Sequence, residues 1–248
     1  MQESFYSFAI IGVAFVLAGF VKGMLGMGLP TVALGFLTVV MTPLQAAALL
    51  VLPSIVTNTW QLLAGPSFGQ IFRRLWLFLF AICAGTWMGY GLMNGPNAHY
   101  AAIALGIILV VYSLLGLFAV QFSVPPHVEK WLSPVMGLAS GVVAAATGLF
   151  AVPGIPYLQA LGFNRDDLIQ ALGLFFSLST FALSVNLVRD GFLQFSMWHA
   201  SVIALGAAGI GMALGTWMRE WVSARVFRTC FFVGMLALGI HLAVRDFL

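Results

Sequence analysis

The sequence predicts an all-α integral membrane protein made of two inverted-topology repeats of about five segments each. Three observations carry this prediction: few charges, long uncharged intervals, and matching glycine-rich breaks in the two halves. Charged residues make up 7% of the 248 residues and hydrophobic residues 62%, whereas about a quarter of a soluble domain is charged. This number of charged residues is too small to cover the surface of a soluble fold. Most of the chain is therefore expected to lie in a lipid bilayer.

Two long stretches carry no charged residue, one between Lys22 and Arg73 and one between Arg74 and Glu129. Each is long enough for two bilayer crossings at about 20 residues per crossing. These stretches lack the alternation of a β-barrel strand, and backbone groups in hydrocarbon must be paired within the segment. They therefore predict membrane helices. The first apolar segment lacks the basic start of a signal peptide and is expected to be a retained membrane helix.

Ten apolar segments are predicted, at residues 5–26, 29–42, 44–64, 74–93, 98–120, 131–150, 152–162, 167–188, 195–218 and 225–246. Segments 29–42 and 152–162 are too short for a comfortable crossing and are predicted to be half-helices or re-entrant pieces. Each follows a glycine-rich break, at 23–30 and 147–156. We place the first repeat at 1–122, a cytoplasmic linker at 123–130 and the second repeat at 131–248, which together form a single membrane domain.

Collinear matches between the halves indicate an internal duplication. The matches are Gly85-Thr86-Trp87-Met88 with Gly215-Thr216-Trp217-Met218, Gln45-Ala46 with Gln170-Ala171, Ser54 with Ser179, Gln61 with Asn186, and Gly19 and Gly26 with Gly141 and Gly148. Rows of small residues four apart recur as well, and they are predicted to let helices pack closely. These rows are Ala81/Gly85/Gly89 and Ala207/Gly211/Gly215.

The basic residues predict the orientation, because cytoplasmic loops carry an excess of Lys and Arg. Four loops are placed in the cytoplasm by their basic residues, which are Arg73, Arg74, Lys130, Arg165, Arg219, Arg225 and Arg228. Arg189 and Arg245 then lie outside with both termini. This placement of the loops is possible only if each short segment turns back toward the side from which its preceding helix came. The two halves are then inverted repeats. Inverted repeats with broken helices are typical of transporters that bind substrate near the bilayer midplane.

Two stretches resemble the TauE/SafE family of sulfite and sulfonate exporters, and the similarity covers nearly the whole chain. They are Ala18-Gly19-Phe20-Val21-Lys22-Gly23-Met24-Leu25-Gly26-Met27-Gly28 and the second-half run from Ala146-Thr147-Gly148 to Tyr157-Leu158-Gln159-Ala160-Leu161-Gly162. Many members of that family have three consecutive glycines where this chain has Gly26-Met27-Gly28. The resemblance implies a bacterial inner-membrane protein that exports a small sulfur-containing anion, such as sulfite or sulfoacetate.

Twelve residues are predicted to bind the anion: Lys22, Gly26, Gly28, Thr31, Thr57, Asn58, Gln61, Thr147, Gly148, Ser177, Thr180 and Asn186. The helices that begin after Gly28 and Pro153 have free N–H groups, and two such ends meeting from opposite sides would hold an oxyanion. Alternatively, the glycines only permit tight turns. Lys22 either neutralises the anion or extends to an interface. The hydroxyl and amide side chains either bind the anion or join helices. Gln45 and Gln170 are interpreted as helix caps.

Other functions find less support in the sequence. No Asp or Glu lies at the middle of a predicted span, so we expect anion movement driven by the membrane potential, with His199 and His241 kept as alternative proton carriers. No catalytic motif, metal-ligand cluster or nucleic-acid-binding basic patch is present, so we expect no enzyme activity, cofactor or metal. A transporter or channel for another solute and a non-transporting accessory subunit remain alternatives. Besides the anion and the bilayer, a second copy of the chain is kept open as a partner.

Overall fold

The computed structural model describes residues 2–94, 98–119, 122–193 and 198–245, and within these ranges the regular structure is entirely helical. The ten helices are α1 (Gln2–Leu25), α2 (Leu29–Leu37), α3 (Pro43–Leu63), α4 (Phe68–Met88), α5 (Ala98–Leu117), α6 (Pro126–Thr147), α7 (Gly154–Ala160), α8 (Arg165–Arg189), α9 (Trp198–Met218) and α10 (Ala224–Val244). The all-α prediction is confirmed, and each predicted segment corresponds to one helix.

Six of the described helices are long and apolar enough to cross a membrane: Pro43–Leu63, Phe68–Met88, Tyr100–Leu117, Arg165–Arg189, Trp198–Met218 and Arg225–Val244. A shorter apolar helix covers Ala9–Leu25. The predicted half-helices are short, with nine residues in α2 and seven in α7. Helices α4 and α6 begin earlier than predicted, because the charged residues that marked the expected boundaries lie inside their first turns.

Local sequence explains where several helices begin. Thr42 accepts a hydrogen bond from the Gln45 backbone N–H, and the Gln45 side chain accepts one from the Thr42 N–H, which forms a capping box for α3. Asn164 caps α8 by accepting a hydrogen bond from the Asp167 N–H. Gly28, with φ of 100°, provides the left-handed turn from which α2 starts. The interpretation of Gln45 as a cap is therefore confirmed.

Glycines bring α1 against α9 and α4 against α6. Gly19 packs on the Ala208 backbone, and Gly215 packs on the Phe20 carbonyl, so α1 and α9 run in the same direction. Helices α4 and α6 are also parallel, because Gly137 lies on Phe78 and Gly89 lies on Ala145. The predicted packing role of the small-residue rows is confirmed. By contrast, α3 and α8 are antiparallel: Gly173 approaches Asn58, whereas Gly65 approaches Gln170.

These pairings have the pattern expected of a duplicated chain. If each helix of the first half is exchanged for its counterpart in the second, the α1–α9 contact becomes the α6–α4 contact. The α3–α8 and α5–α10 contacts map onto themselves. Helix α1 is parallel to α3, since Lys22 contacts Thr57 and Gly26 contacts Gln61, while α6 and α8 run parallel to α4. The inverted relation of the halves remains a prediction, and these directions support it.

Four connections gather at one end of the helix bundle, which we call the basic end. Arg74 of α4 pairs with Glu129 of α6 and donates to the Leu161 carbonyl, which follows α7. The Ser67 N–H donates to Gln170 near the start of α8, and Arg228 of α10 donates to the Gly116 carbonyl near the end of α5. The loops predicted to be cytoplasmic therefore lie together. The side of the membrane that they face is still a prediction.

We expect Gly211→Ala to destabilise the protein, because a Cβ there would lie 2.1 Å from the Val16 carbonyl oxygen. Overpacking of this kind costs about 1–3 kcal/mol. Gly209→Ala is the matched control on the same helix, since a Cβ at Gly209 meets nothing within 4 Å. Thermal unfolding in detergent should show a lower Tm for Gly211→Ala and an unchanged or higher Tm for Gly209→Ala. Equal effects of the two substitutions would contradict the close packing of α1 on α9.

Candidate anion-binding site

Lys22 lies inside the protein, near the end of α1, with 5% of its surface exposed. Its Nζ donates hydrogen bonds to Thr57 Oγ1, at 3.0 Å, and to Asn58 Oδ1 on α3. No salt bridge to Lys22 is found among the described residues, where the ion pair observed joins Arg74 to Glu129. Lys22 therefore does not extend to an interface in this structure. We call Lys22, Thr57 and Asn58 the Lys22 cluster.

The geometry of α3 presents acceptor atoms to the lysine. The hydroxyl of Thr57 donates to the Pro53 carbonyl one turn earlier, at 2.7 Å, so its oxygen is left to accept from Lys22. Asn58 is fully buried, and its Oδ1 is also taken by Lys22. Thr57 and Asn58 thus act as polar solvation for the ammonium group, which would otherwise be costly to bury.

The unused hydrogen-bonding groups of the cluster are donors. Asn58 Nδ2 is buried and has no hydrogen-bond partner. Lys22 uses two of the three N–H donors that an ammonium group provides. Because a buried donor without an acceptor is unfavourable, this arrangement favours a ligand that brings acceptor oxygens and negative charge. The cluster therefore has the chemistry of an anion site.

The Lys22 cluster lies well inside the bundle. The Asn58 carbonyl is adjacent to Gly173 of α8, and Gly173 is two turns beyond Arg165, or about 12 Å at 1.5 Å per residue. A membrane core is about 30 Å thick, so a group about 12 Å from the basic end lies well inside it. A charged side chain at such a depth is expensive and usually has a function.

Gln61 and Gln170 lie between the cluster and the basic end, and we call them the glutamine clamp. Gln61 Nε2 donates to the carbonyls of Gly26, at 3.1 Å, and Ile169, at 2.9 Å, which joins the first break, α3 and α8. Gln170 Nε2 donates to the Leu62 and Gly65 carbonyls, and its Oε1 accepts from the Ser67 N–H. The interpretation of Gln170 as a helix cap is wrong, because Asn164 caps α8 and Gln170 reaches across to α3.

An ion pair between Arg74 and Glu129 lies at the surface of the basic end. Arg74 makes a bidentate contact with Glu129, with N–O distances of 2.7 and 2.8 Å. Arg74 also donates to the Leu161 carbonyl and lies over the Phe163 ring, 4.6 Å from its centroid. The pair thus joins α4, α6 and the α7–α8 connection. The sequence analysis did not identify this contact, although the placement of both loops on one side was a signal for it.

The structure does not bring the two glycine-rich breaks together. Gly26 is adjacent to Gln61, whereas Gly148 lies against Ala47 and Leu34, and Ala47 and Gln61 are about 21 Å apart along α3. Helix α2 runs away from the basic end beside α10, while α7 runs toward it. Their N-termini therefore point in opposite directions, and a ligand shared by these two helix starts stays a prediction.

The remaining predicted residues are dispersed. Gly28 and Thr31 are buried at the start of α2. Thr147 bonds locally, donating to the Val143 carbonyl and accepting from the Leu149 N–H. Ser177 has a buried, unpartnered hydroxyl, and Thr180 is buried on the same helix. These residues are not joined to the Lys22 cluster by any described hydrogen bond, so the structure concentrates the predicted site on α1 and α3.

Asn186, the counterpart of Gln61, lies near the end of the bundle opposite the basic end. Its Nδ2 donates to the Thr86 carbonyl at 2.9 Å, while its Oδ1 is buried without a partner. It lines a small pocket with Tyr90, Asn94 and Asp190. The second half contains no counterpart of the cluster, because Ala144, Ala182 and Leu183 stand where the first half has Lys22, Thr57 and Asn58.

Fold and site together define a polytopic α-helical membrane protein with a buried cationic cluster. Residues 11–242 match the family model described as sulfite exporter TauE/SafE. The chain therefore belongs to this family, which is a family of membrane transporters of sulfur-containing anions, and the resemblance noted in the sequence is confirmed. The comparisons with curated proteins and with solved structures found no match.

We expect Arg74→Gln to lower the Tm in detergent, because it removes a bidentate ion pair and a bond to the Leu161 carbonyl. A cost of about 1–2 kcal/mol is reasonable for a partly exposed pair of this geometry. Arg73→Gln is the control, since the neighbouring Arg73 forms no described contact of this kind. The single variant Glu129→Gln and the double variant Arg74→Gln/Glu129→Gln complete a double-mutant cycle. Purely additive changes in Tm would show that Arg74 and Glu129 do not interact.

Proposed function

We propose that this protein exports a small sulfur-containing anion, such as sulfite or an organosulfonate, by alternating access. The anion binds at the Lys22 cluster, beside the first break. The observation that carries this proposal is a buried set of unused donors in a chain that belongs to a family of sulfur-anion transporters. A sulfonate group offers three oxygens that can accept from Lys22 and from Asn58 Nδ2.

The bound anion also compensates the charge of Lys22. The ammonium of Lys22 is hydrogen-bonded to two side-chain oxygens, neither of which carries a negative charge. An anion brought within hydrogen-bonding distance supplies the missing opposite charge in a medium where charge interactions are strong. The anion in turn loses its hydration shell and gains fixed N–H donors. This exchange supports selective binding without a metal ion or a second charged side chain.

The glutamine clamp and the Arg74–Glu129 pair would form the barrier on the side of the basic end. The hydrogen bonds of both are formed in this structure, which supports this role. Following the positive-inside rule, we place the basic end in the cytoplasm and both termini outside, in a bacterial inner membrane. Loading of the anion then requires the clamp to open. Release occurs toward the end where Asn186 and the adjacent pocket lie.

The membrane potential supplies the driving force in this proposal. The acidic residues that the structure describes lie at helix ends or in loops, which leaves the interior of the described helices without a carboxylate to carry protons. An inside-negative potential favours the exit of an anion by about 2.3 kcal/mol per charge per 100 mV. No other coupling is then required for export.

We expect Lys22→Met to reduce sulfonate efflux from loaded liposomes at least tenfold, because the site loses its positive charge. The Tm should fall modestly, because the buried Asn58 Oδ1 loses its donor, so efflux is compared at equal amounts of folded protein. Lys130→Met is the matched control, because Lys130 is the other lysine of the chain and lies in the first turns of α6. Full efflux in a well-folded Lys22→Met variant would show that the anion does not bind at this lysine.

We expect efflux to follow an imposed voltage rather than a proton gradient. Liposomes containing the protein and a sulfonate can be polarised with potassium and valinomycin at equal pH, and separately given a pH step at zero voltage. The voltage should change the rate in the direction that moves negative charge outward, and the pH step should not. Efflux that ignores voltage and requires a proton gradient would exclude this driving force.

A further inference from the structure

We infer that the Lys22 cluster selects singly charged oxyanions and discriminates against dianions and zwitterions. This inference rests on the proposed function, and it concerns the charge of the ligand rather than its identity. Its basis is the number of buried charges and the orientation of the hydrogen-bonding groups around Lys22.

The first step is the charge balance of the occupied site. Among the described residues, Lys22 is the one Lys or Arg that is buried, since the others are exposed or partly exposed. A ligand with one negative charge makes the occupied cluster neutral. A dianion leaves one uncompensated negative charge about 12 Å from the basic end, and an uncompensated buried charge is strongly unfavourable.

The nearest groups do not compensate a second negative charge. Arg74, on the basic-end side, is committed to Glu129 and to the Leu161 carbonyl. In the second half, the position equivalent to Lys22 is Ala144, which is fully buried. The site therefore supplies one cation, and the second half of the protein does not add another at the equivalent position.

The second step concerns acceptors, which a zwitterion requires for its ammonium group. Asn58 Oδ1 and Thr57 Oγ1 each already accept one hydrogen bond from Lys22, and the Pro53 carbonyl accepts one from Thr57. The Gly26 and Ile169 carbonyls are occupied by Gln61. An aminosulfonate would thus bring a second cation next to Lys22 and find the neighbouring oxygens already engaged, which opposes its binding.

Four two-carbon sulfonates test this inference, because they differ mainly in charge. Ethanesulfonate is a monoanion, sulfoacetate and ethanedisulfonate are dianions, and taurine is a zwitterion. Binding is measured by calorimetry and thermal shift on the purified full-length protein, with sodium salts at constant ionic strength and neutral pH. We expect ethanesulfonate to bind at least tenfold more tightly than the other three. Lys22→Met should lose most of this preference, whereas Lys130→Met should retain it.

The possible outcomes separate this inference from the proposed function. If sulfoacetate or ethanedisulfonate binds as tightly as ethanesulfonate and Lys22→Met weakens all of them, the site is correctly placed and the charge selection is wrong. If taurine binds as tightly as ethanesulfonate, the acceptor argument fails in the same way. If none of the four binds to a folded protein, the proposed sulfonate function fails and this inference fails with it.

Discussion

The hydrogen bonds from Lys22 to Thr57 and Asn58 impose the central constraint on this structure. A primary ammonium in the interior of a membrane protein must be surrounded by oxygens, and α3 provides two of them at adjacent positions. Because those oxygens are then occupied, the groups that remain are N–H donors. One buried charge thus determines the polarity of the candidate site and the orientation of the Asn58 amide, and in the proposed function it also determines the charge of the ligand.

Close helix packing surrounds the helix that provides these oxygens. Without water, helices associate through close contact rather than through the hydrophobic effect, so small residues at the interface are decisive. The glycines of α1, α4, α6 and α9 place backbone against backbone. They thereby hold two pairs of parallel helices around α3 and α8, which carry eight of the sixteen buried polar side chains that the structure describes. The pairs lie where a duplicated chain would place them.

The helices could be predicted from the sequence much better than the site. Long apolar segments interrupted by glycine and proline correspond directly to helices, because hydrocarbon leaves few alternatives to helical backbone. Lys22, Thr57 and Asn58 were predicted residues that the structure brings together. The long-range roles of Gln170 and Arg74 were not foreseen, because spacing along a chain does not determine which helix a side chain will reach. For the same reason, the sequence could not show that Gly26 and Gly148 of the two similar breaks lie at different depths.

The glutamine clamp exists at one end only. Its counterparts are Gln45, which caps its own helix, and Asn186, which makes one bond to the Thr86 carbonyl. The two orientations of such a protein would therefore differ in free energy, with the clamped one favoured at rest. A ligand that arrives on the clamped side must also supply the free energy of opening, so its apparent affinity is reduced by the fraction of open molecules. The same residues would bind weakly from one side of the membrane and tightly from the other, and transport would begin only after the anion had accumulated.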